Sequence, residues 1–180
     1  MAHVTLVDPA SSSDAVKPTL DQIKGAFGVV PNMFKAVANS PAALASMWGA
    51  FGALGGGKLG ARLGEEIAVA IANANNCEYC LAAHTALGRK AGATADEMAE
   101  AQAGRSADPR TRVALTFVLR LVRDRGAVTE TDVEALRAAG FDDEAILEII
   151  AHVALNLFTN YVNVALNVPV DFPSIALKRA

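Results

Sequence analysis

The sequence has little of what nucleic-acid-binding and membrane proteins require. It carries 16 basic against 19 acidic residues, a net charge of −3, and its lysines and arginines are scattered rather than clustered. Nucleic-acid-binding proteins normally present a basic face, so this composition argues against a nucleic-acid partner. The most apolar stretch, residues 145–168, is interrupted by Glu148, His152 and four asparagines, which argues against a membrane span.

The beginning of the chain also lacks the pattern of a secretory signal. Residues 1–9 contain Asp8 and have neither a basic start nor a cleavable apolar run. We therefore expect a cytoplasmic protein. In that reducing compartment a lone pair of cysteines is more often catalytic or metal-binding than a structural disulfide.

Length and composition predict one globular domain. At 180 residues the chain can bury one good core but is short for two. Apolar residues make up 52 % and charged residues 19 %, which excludes a disordered chain. The high apolar share indicates either a thick core or a homo-oligomer that buries a helical face.

The pattern of apolar residues predicts an all-α fold, because no segment alternates with period two for long enough to indicate a sheet. Residues 1–24 are predicted to form an N-terminal arm, of which residues 1–20 have little structure, and residues 25–180 the helical domain. A turn-rich link is expected at residues 25–31. Capping residues, prolines and glycines place the predicted helices at residues 32–39, 41–53, 61–73, 77–91, 94–102, 109–123, 129–139 and 144–167.

Both cysteines lie in one short stretch, NNCEYCLAAH, residues 75–84. If Asn76 caps the following helix, Cys77 lies in its first turn and Cys80 one turn later on the same face. The helix N-terminus favours a thiolate, and His84 follows Cys80 by four residues on the same stripe. A thiolate with an imidazole and a second thiol nearby can reduce an oxidant through a sulfenic acid and then a disulfide.

Two other interpretations of this stretch are open. Two cysteines and a histidine supply three zinc ligands, and a carboxylate would have to provide the fourth because there is no second Cys-x-x-Cys. Alternatively, the two thiols are small apolar groups buried in a core. The spacing alone is compatible with a redox pair, a metal site and simple packing.

A polar stripe marks the last predicted helix. His152, Asn156, Asn160, Asn163 and Asn167 recur at spacings of four, four, three and four residues. Such a stripe lines a reaction cavity, joins subunits or forms a satisfied network of buried amides. His152, Asn156 and Asn160 are therefore candidate pocket residues, although a histidine in this position is more often part of a core.

One ordered set of residues makes the cysteine stretch more specific. Glu65, eleven residues, Cys77-x-x-Cys80, three residues and then His84 resembles the alkyl hydroperoxidase D-like (AhpD-like) group, the peroxidase-related branch of the carboxymuconolactone decarboxylase superfamily. The resemblance extends over about residues 25–175. The neighbouring stretches that also fit are residues 28–32, 59–66 and 159–161.

The resemblance implies an AhpD-like helical bundle that assembles as a homotrimer or homohexamer. It implies a thiol-dependent (alkyl hydro)peroxidase that needs no metal or haem, because a reversible Cys77–Cys80 disulfide carries the electrons. In this scheme Cys80 is the peroxidatic thiol, Cys77 the resolving thiol, and Glu65 and His84 form the proton relay. The substrate is a hydroperoxide, and the reductant a thioredoxin-like or lipoyl-bearing dithiol.

The chain departs from this family pattern at one position. The family's pattern has a second histidine between the cysteines, where this chain has Tyr79, which we take as a further candidate pocket residue. Glu65 and Glu66 lie about 100° apart on a helix, so only one can face the cysteines. The spacing to Cys77 favours Glu65, and Glu66 is expected to be a solvated carboxylate in a first helical turn.

Three other functions are compatible with the sequence. A non-redox lyase is one, because the same superfamily includes lactone decarboxylases that do not need the cysteine pair. A redox-sensing module would form the same disulfide without turnover. A zinc-stabilised helical protein is the third. Of these, the thiol-dependent peroxidase accounts best for the presence of both cysteines.

Overall fold

The computed structural model describes residues 1–178, which form nine α-helices and no strand. A short 3-10 helix, Pro9–Ser11, precedes the first of them. The helices are α1 (Lys17–Phe27), α2 (Asn32–Val37), α3 (Pro41–Gly55), α4 (Ala61–Ala74), α5 (Glu78–Lys90), α6 (Ala95–Gln102), α7 (Pro109–Arg123), α8 (Glu130–Ala138) and α9 (Asp143–Ala165). The predicted all-α fold is confirmed.

Most helices begin where the sequence supplies a cap. The Ser40 hydroxyl accepts a hydrogen bond from the Ala43 N–H at the start of α3, and the Asp142 carboxylate accepts one from the Ala145 N–H at the start of α9. These side chains satisfy N–H groups that have no partner within the helix. For this reason the predicted bounds of α3, α7 and α9 lie within two residues of the observed ones.

The N-terminal region is more ordered than predicted. We expected little structure in residues 1–20 and a link at residues 25–31. Both expectations are wrong where these ranges overlap α1, Lys17–Phe27. Leu20 and Ile23 of this helix are 1 % and 0 % exposed, and α1 packs against α3. Pro18 does not prevent the helix, because it lies in the first turn, where its missing N–H needs no partner.

The centre of the fold is α4, which packs against α5, α6, α7 and α9. Its side chains are buried almost continuously from Leu63 to Ala72. Gly88 of α5 permits the close approach of α4, because a Cβ there would lie 3.3 Å from Glu65 Cβ and 2.5 Å from the Met98 side chain. This close contact brings Glu65 to the surface of α5.

By length and composition alone, α9 is long and apolar enough to cross a membrane, the one such helix among the described residues. It packs instead against α3, α4, α5 and α7, and Ile149 and Val153 on its inner face are 0 % and 4 % exposed. α9 is therefore a core helix of the bundle. Together with α4 and α5 it surrounds the two cysteines.

Candidate active site

The turn before α5 places both cysteines at the start of that helix. Asn76 adopts a left-handed conformation with φ 53°, which reverses the chain after α4. Asparagine tolerates this conformation better than most residues. The residue that caps α5 is therefore Cys77, not Asn76 as predicted, and its Sγ accepts a hydrogen bond from the Cys80 N–H at 3.3 Å.

The two cysteines form no disulfide and are almost fully buried, Cys77 at 1 % and Cys80 at 2 % exposure. The side chain of Asn163 on α9 donates a hydrogen bond from Nδ2 to Cys80 Sγ at 3.2 Å. Thr159 Oγ1 lies 4.0 Å from the same sulfur. Sequence reasoning missed both residues as direct partners of Cys80, although Asn163 belongs to the polar stripe.

The two sulfurs differ in pKa because their surroundings differ. Burial alone raises the pKa of Cys80, but the hydrogen bond from Cys77, the positive charge of His84 and the amide of Asn163 outweigh it and lower the pKa to about 6, from an ordinary 9.0. The hydrogen bond to Cys80 and burial raise the pKa of Cys77. At neutral pH Cys80 is therefore a thiolate and Cys77 a thiol.

His84 and Glu65 form a buried pair beside Cys80. The distance between His84 Nδ1 and Glu65 Oε2 is 2.7 Å, and the His84 side chain is 11 % exposed. Burial lowers the pKa of His84, but the charge of Glu65 and its hydrogen bond raise it more, so that the net change is upward. The imidazolium thus carries a proton next to the thiolate, as an acid for a leaving group requires.

Glu66 lies on a different side of α4 and is not part of this pair. Its side chain is 5 % exposed and lies 3.4 Å from Arg62, so the prediction of a solvated carboxylate is wrong. The reason is that α6 and α7 cover this side of α4. Burial raises the pKa of Glu66, and the charge of Arg62 offsets this only in part.

Tyr79 packs beside the cysteines and bonds to the backbone. Its hydroxyl accepts a hydrogen bond from the Met33 N–H at 3.1 Å. The ring stands edge-on to Phe172, with 5.7 Å between the ring centroids. Burial raises the pKa of the phenol, which is neutral at physiological pH. The hydroxyl is thus engaged away from the sulfurs, and the ring forms part of the wall beside Cys80.

The residues of the polar stripe on α9 lie in two different environments. Asn163, with Thr159, reaches Cys80, and Asn160 Oδ1 accepts a hydrogen bond from Asn75 Nδ2 at 3.0 Å. Asn156 Nδ2 donates to the His152 carbonyl at 2.8 Å. The stripe is not a fully satisfied amide network, because one side-chain atom each of Asn156, Asn160 and Asn163 is buried without a partner among the described residues.

Three cavities adjoin this centre. The first, which we call the cysteine pocket, encloses about 30 Å³, and the second, the Glu65 chamber, about 120 Å³. A third, the Cys77 groove, encloses about 300 Å³. The cysteine pocket is lined by Cys80, Tyr79, His84 and apolar residues that include Phe27, Phe34, Phe51 and Phe172. The Glu65 chamber is lined by Glu65, His84, His152, Asn156 and mostly small or apolar residues. The Cys77 groove is lined by Cys77, Asn76, Glu78, Asn163 and the segment after α9.

The sequence-predicted site residues therefore fall into two groups. Cys77, Cys80, His84 and Glu65 come together, while His152 lies on the far side of the Glu65–His84 pair. No cluster of three or more His, Cys, Asp or Glu side chains suited to a metal ion occurs in residues 1–178.

Comparison with known proteins agrees with this geometry. The model of the carboxymuconolactone decarboxylase family matches residues 40–124, a range that contains Glu65, Cys77, Cys80 and His84. Over this range the chain matches the carboxymuconolactone decarboxylase family. Its AhpD-like character, expected from the ordered set of site residues, is confirmed by the solved structures it resembles.

Two of these structures are peroxidase-related proteins. An uncharacterized one from Silicibacter sp. TM1040 is 27 % identical, with a TM-score of 0.82 over 93 % of this chain and 91 % of that one. An alkylhydroperoxidase AhpD core protein from Ralstonia eutropha JMP134 is 26 % identical, with a TM-score of 0.84 over 94 % and 92 %.

A third structure shares the fold alone. It is a cysteine-to-alanine variant of the debrominase Bmp8 in complex with 2,3,4-tribromopyrrole, 21 % identical, with a TM-score of 0.79 over 95 % of this chain and 94 % of that one. No curated protein matches the chain in sequence. The same helical scaffold thus occurs in peroxidase-related proteins and in a debrominase.

Proposed function

We propose that this protein is a thiol-dependent hydroperoxidase in which Cys80 reduces the peroxide and Cys77 closes the disulfide. The observation that carries the proposal is the buried Cys80 thiolate, with the Cys77 thiol in hydrogen-bonding contact and the His84–Glu65 pair alongside. A thiolate is the nucleophile in such chemistry, and its low pKa keeps it available at neutral pH.

In the first step the Cys80 sulfur attacks the outer peroxide oxygen and the O–O bond breaks. Cys80 becomes a sulfenic acid, and the alkoxide leaves as an alcohol after it takes the proton of His84. Glu65 holds the imidazolium in place for this transfer through its 2.7 Å contact. The peroxide is reduced by two electrons, which the Cys80 sulfur supplies.

In the second step neutral His84 accepts the Cys77 proton, and the Cys77 sulfur displaces hydroxide from Cys80. The hydroxide leaves as water with that proton, and the Cys77–Cys80 disulfide remains. An external dithiol, thioredoxin-like or lipoyl-bearing, then reduces the disulfide and is itself oxidised. No metal or haem takes part in this cycle.

The shape of the site and the relatives support this assignment. The cysteine pocket has aromatic walls, which suit the apolar group of an alkyl or aryl hydroperoxide. Two structures at 27 % and 26 % identity carry peroxidase-related names. We place the activity in the cytoplasm, where dithiol reductants keep such thiols reduced.

The proposal includes a homotrimer or homohexamer. Five large apolar side chains on the outer face of α9 are exposed: Leu147 at 67 %, Ile150 at 39 %, Phe158 at 36 %, Tyr161 at 61 % and Val164 at 51 %. A continuous apolar face of this kind is typical of a subunit contact. Light scattering on the purified protein should give three or six times the 18.7 kDa chain mass, and Tyr161→Lys should lower it.

The direct test counts thiols and measures intact mass before and after one equivalent of cumene hydroperoxide. Wild type should lose two thiols and two hydrogens. Cys77→Ser should stop at a sulfenic acid that dimedone traps, and Cys80→Ser should consume no peroxide. Survival of both wild-type thiols would refute the proposal.

The same experiment separates the alternatives. A redox sensor would consume one equivalent and stop even when a dithiol reductant is in excess, whereas the enzyme turns over. A lactone decarboxylase activity that persists in Cys80→Ser would favour the non-redox lyase.

A further inference from the structure

Both cysteines are closed off from solvent. Cys77 is 1 % exposed although the Cys77 groove lies beside it, and Cys80 is 2 % exposed in a cysteine pocket that encloses about 30 Å³. Pockets that hold small organic molecules measure about 300 Å³ or more. A hydroperoxide larger than a few atoms, and a dithiol reductant, therefore reach the sulfurs only when part of the surrounding wall moves.

One segment without helix or strand forms part of the wall on both sides of the cysteines. It consists of residues 168–178, which follow α9 and which we call the strap. Its first three residues line the Cys77 groove, and its Phe172 lines the cysteine pocket. The other wall residues of the cysteine pocket, apart from Pro31, belong to helices of the bundle. The strap is thus the wall element whose displacement leaves every helix in place.

Two sets of side-chain contacts hold the strap on the bundle. Near the cysteines, the Asp171 carboxylate accepts a hydrogen bond from the Asn32 N–H at 2.8 Å, and Asn32 Nδ2 donates to the Pro169 carbonyl at 3.1 Å. At the other end, Asn73 of α4 pairs with the backbone of Lys178. Its Oδ1 accepts from the Lys178 N–H at 2.8 Å, and its Nδ2 donates to the Lys178 carbonyl at 3.0 Å.

Between these two anchors the strap is held weakly. No backbone–backbone hydrogen bond of the described part of the chain involves residues 169–178. One side chain of α6 contacts the backbone there, since Gln102 Nε2 donates to the Ala176 carbonyl at 2.9 Å. The larger apolar side chains of the strap are only partly buried: Phe172, Ile175 and Leu177. Segments with few buried contacts and no backbone hydrogen-bond ladder open locally while the rest of the protein stays folded.

We propose that the strap is a gate, which lifts from the bundle to admit the hydroperoxide to Cys80 and the dithiol reductant to Cys77. When the gate is closed, Phe172 completes the apolar wall of the cysteine pocket and excludes water from it. One motion serves both half-reactions, because the same segment lines both cavities. The identity of the two reactants rests on the proposed function, but the gate itself can be tested by thiol labelling.

The labelling experiment measures how fast iodoacetamide alkylates Cys80 in the reduced protein at pH 7, assigned from peptide fragment masses. Asp171→Ala removes the anchor at Asn32 and should speed the labelling about threefold to tenfold, which corresponds to about one hydrogen bond. Asn73→Ala removes both bonds to Lys178 and should act in the same direction. The thiolate absorbance at 240 nm checks that the pKa of Cys80 is the same in each variant.

Asn39→Ala is the matched control for these anchors. Asn39 Nδ2 donates to the Thr5 carbonyl at 2.7 Å, so this side chain holds the N-terminal arm on the bundle as Asn73 holds the strap. The control should be labelled at the wild-type rate. An unchanged rate in Asp171→Ala, or an equal rise in Asn39→Ala, would overturn the gate.

Urea distinguishes lifting of the strap from unfolding of the whole bundle. Opening of a short segment exposes little surface, so the labelling rate of wild type should rise only weakly with urea below the unfolding transition. A slope equal to that of global unfolding would contradict the gate, because the sulfurs would then be reached only through unfolded protein. The same slope identifies a variant whose faster labelling comes from lower global stability.

Oxidation of Cys80 connects the gate with the proposed function. The second-order rate constant for its reaction with cumene hydroperoxide should rise from wild type to Asp171→Ala in proportion to the labelling rate. A peroxide rate constant that stays at the wild-type value while labelling speeds up would refute the gate as the route of the peroxide. If wild type reduces no hydroperoxide at all, the proposed function fails, and the labelling experiment still decides whether the strap controls access to the thiols.

Discussion

Replacing Asn163 by leucine should raise the pKa of Cys80. Asn163 Nδ2 donates the 3.2 Å hydrogen bond to Cys80 Sγ, and both residues are buried, at 3 % and 2 % exposure. Leucine has a similar volume, so the change removes the donor and leaves no large cavity. It also removes the Asn163 Oδ1 atom, which is buried without a partner.

The size of the effect follows from the strength of the lost bond. A hydrogen bond to a charged group contributes about 1.5–3 kcal/mol, and one pH unit corresponds to about 1.4 kcal/mol. Since the wild-type pKa is about 6, the variant should titrate near pH ~7–8. The thiolate share of Cys80 at pH 7 would fall from roughly nine-tenths to about half or less.

The assay is the thiolate absorbance at 240 nm, recorded as a function of pH on the reduced protein. Cys80→Ser should lose the low-pH step and thereby assign it. Asn156→Leu is the matched control, because Asn156 lies on the same helix, is 4 % exposed and bonds to the His152 carbonyl instead of the sulfur. If the thiolate midpoint of Asn163→Leu equals that of wild type, or if Asn156→Leu shifts the midpoint by the same amount, the amide of Asn163 does not stabilise the thiolate.

Three further predictions concern the helices around the cysteines. Glu65→Gln should lower the pKa of His84, followed by NMR, and raise the thiolate midpoint, because the charge that holds the imidazolium is lost. Gly88→Ala should cost about 1–3 kcal/mol in urea unfolding and slow peroxide reduction, because its Cβ would displace Met98 and Glu65; an unchanged protein would refute the close contact. Glu66→Gln should flatten the pH dependence of stability. Because the pKa of this carboxyl is raised in the folded protein, its stabilisation of the fold is fully present below the unfolded value of 4.5 and is lost as pH rises through the folded pKa. Urea unfolding midpoints of the variant and wild type at pH 4 and pH 7 check this.

The sequence predicted the helical elements well because each carries its own signals. Ser40-Pro41 and Asp108-Pro109 both supply a cap followed by proline at the first helical position, and the observed helices begin there. Periodicity also predicted a polar face on α9. It could not say which asparagine meets a sulfur, because that depends on how α9 crosses α5, a property of tertiary packing rather than of local spacing.

The predictions that were wrong have a common physical cause, which is burial by neighbouring helices. A carboxylate in an early helical turn is usually solvated, yet Glu66 is buried because α6 and α7 lie over it. Likewise Leu20 and Ile23 form a helix in a region that local composition marks as irregular, because α3 supplies an apolar surface for α1. In both cases long-range contact outweighs local tendency.

The position of Tyr79 bears on how the site handles protons. A histidine between the cysteines could exchange a proton with either sulfur, but the Tyr79 hydroxyl accepts the Met33 N–H and its raised pKa keeps it neutral. His84 is then the titratable side chain that acts on Cys80 by its charge, with Glu65 setting its protonation. In the cycle that we propose, the proton of the leaving alkoxide and that of Cys77 consequently pass through one imidazole in turn. We therefore expect the 2.7 Å Glu65–His84 contact, rather than a second histidine, to set the pH range of the proposed activity.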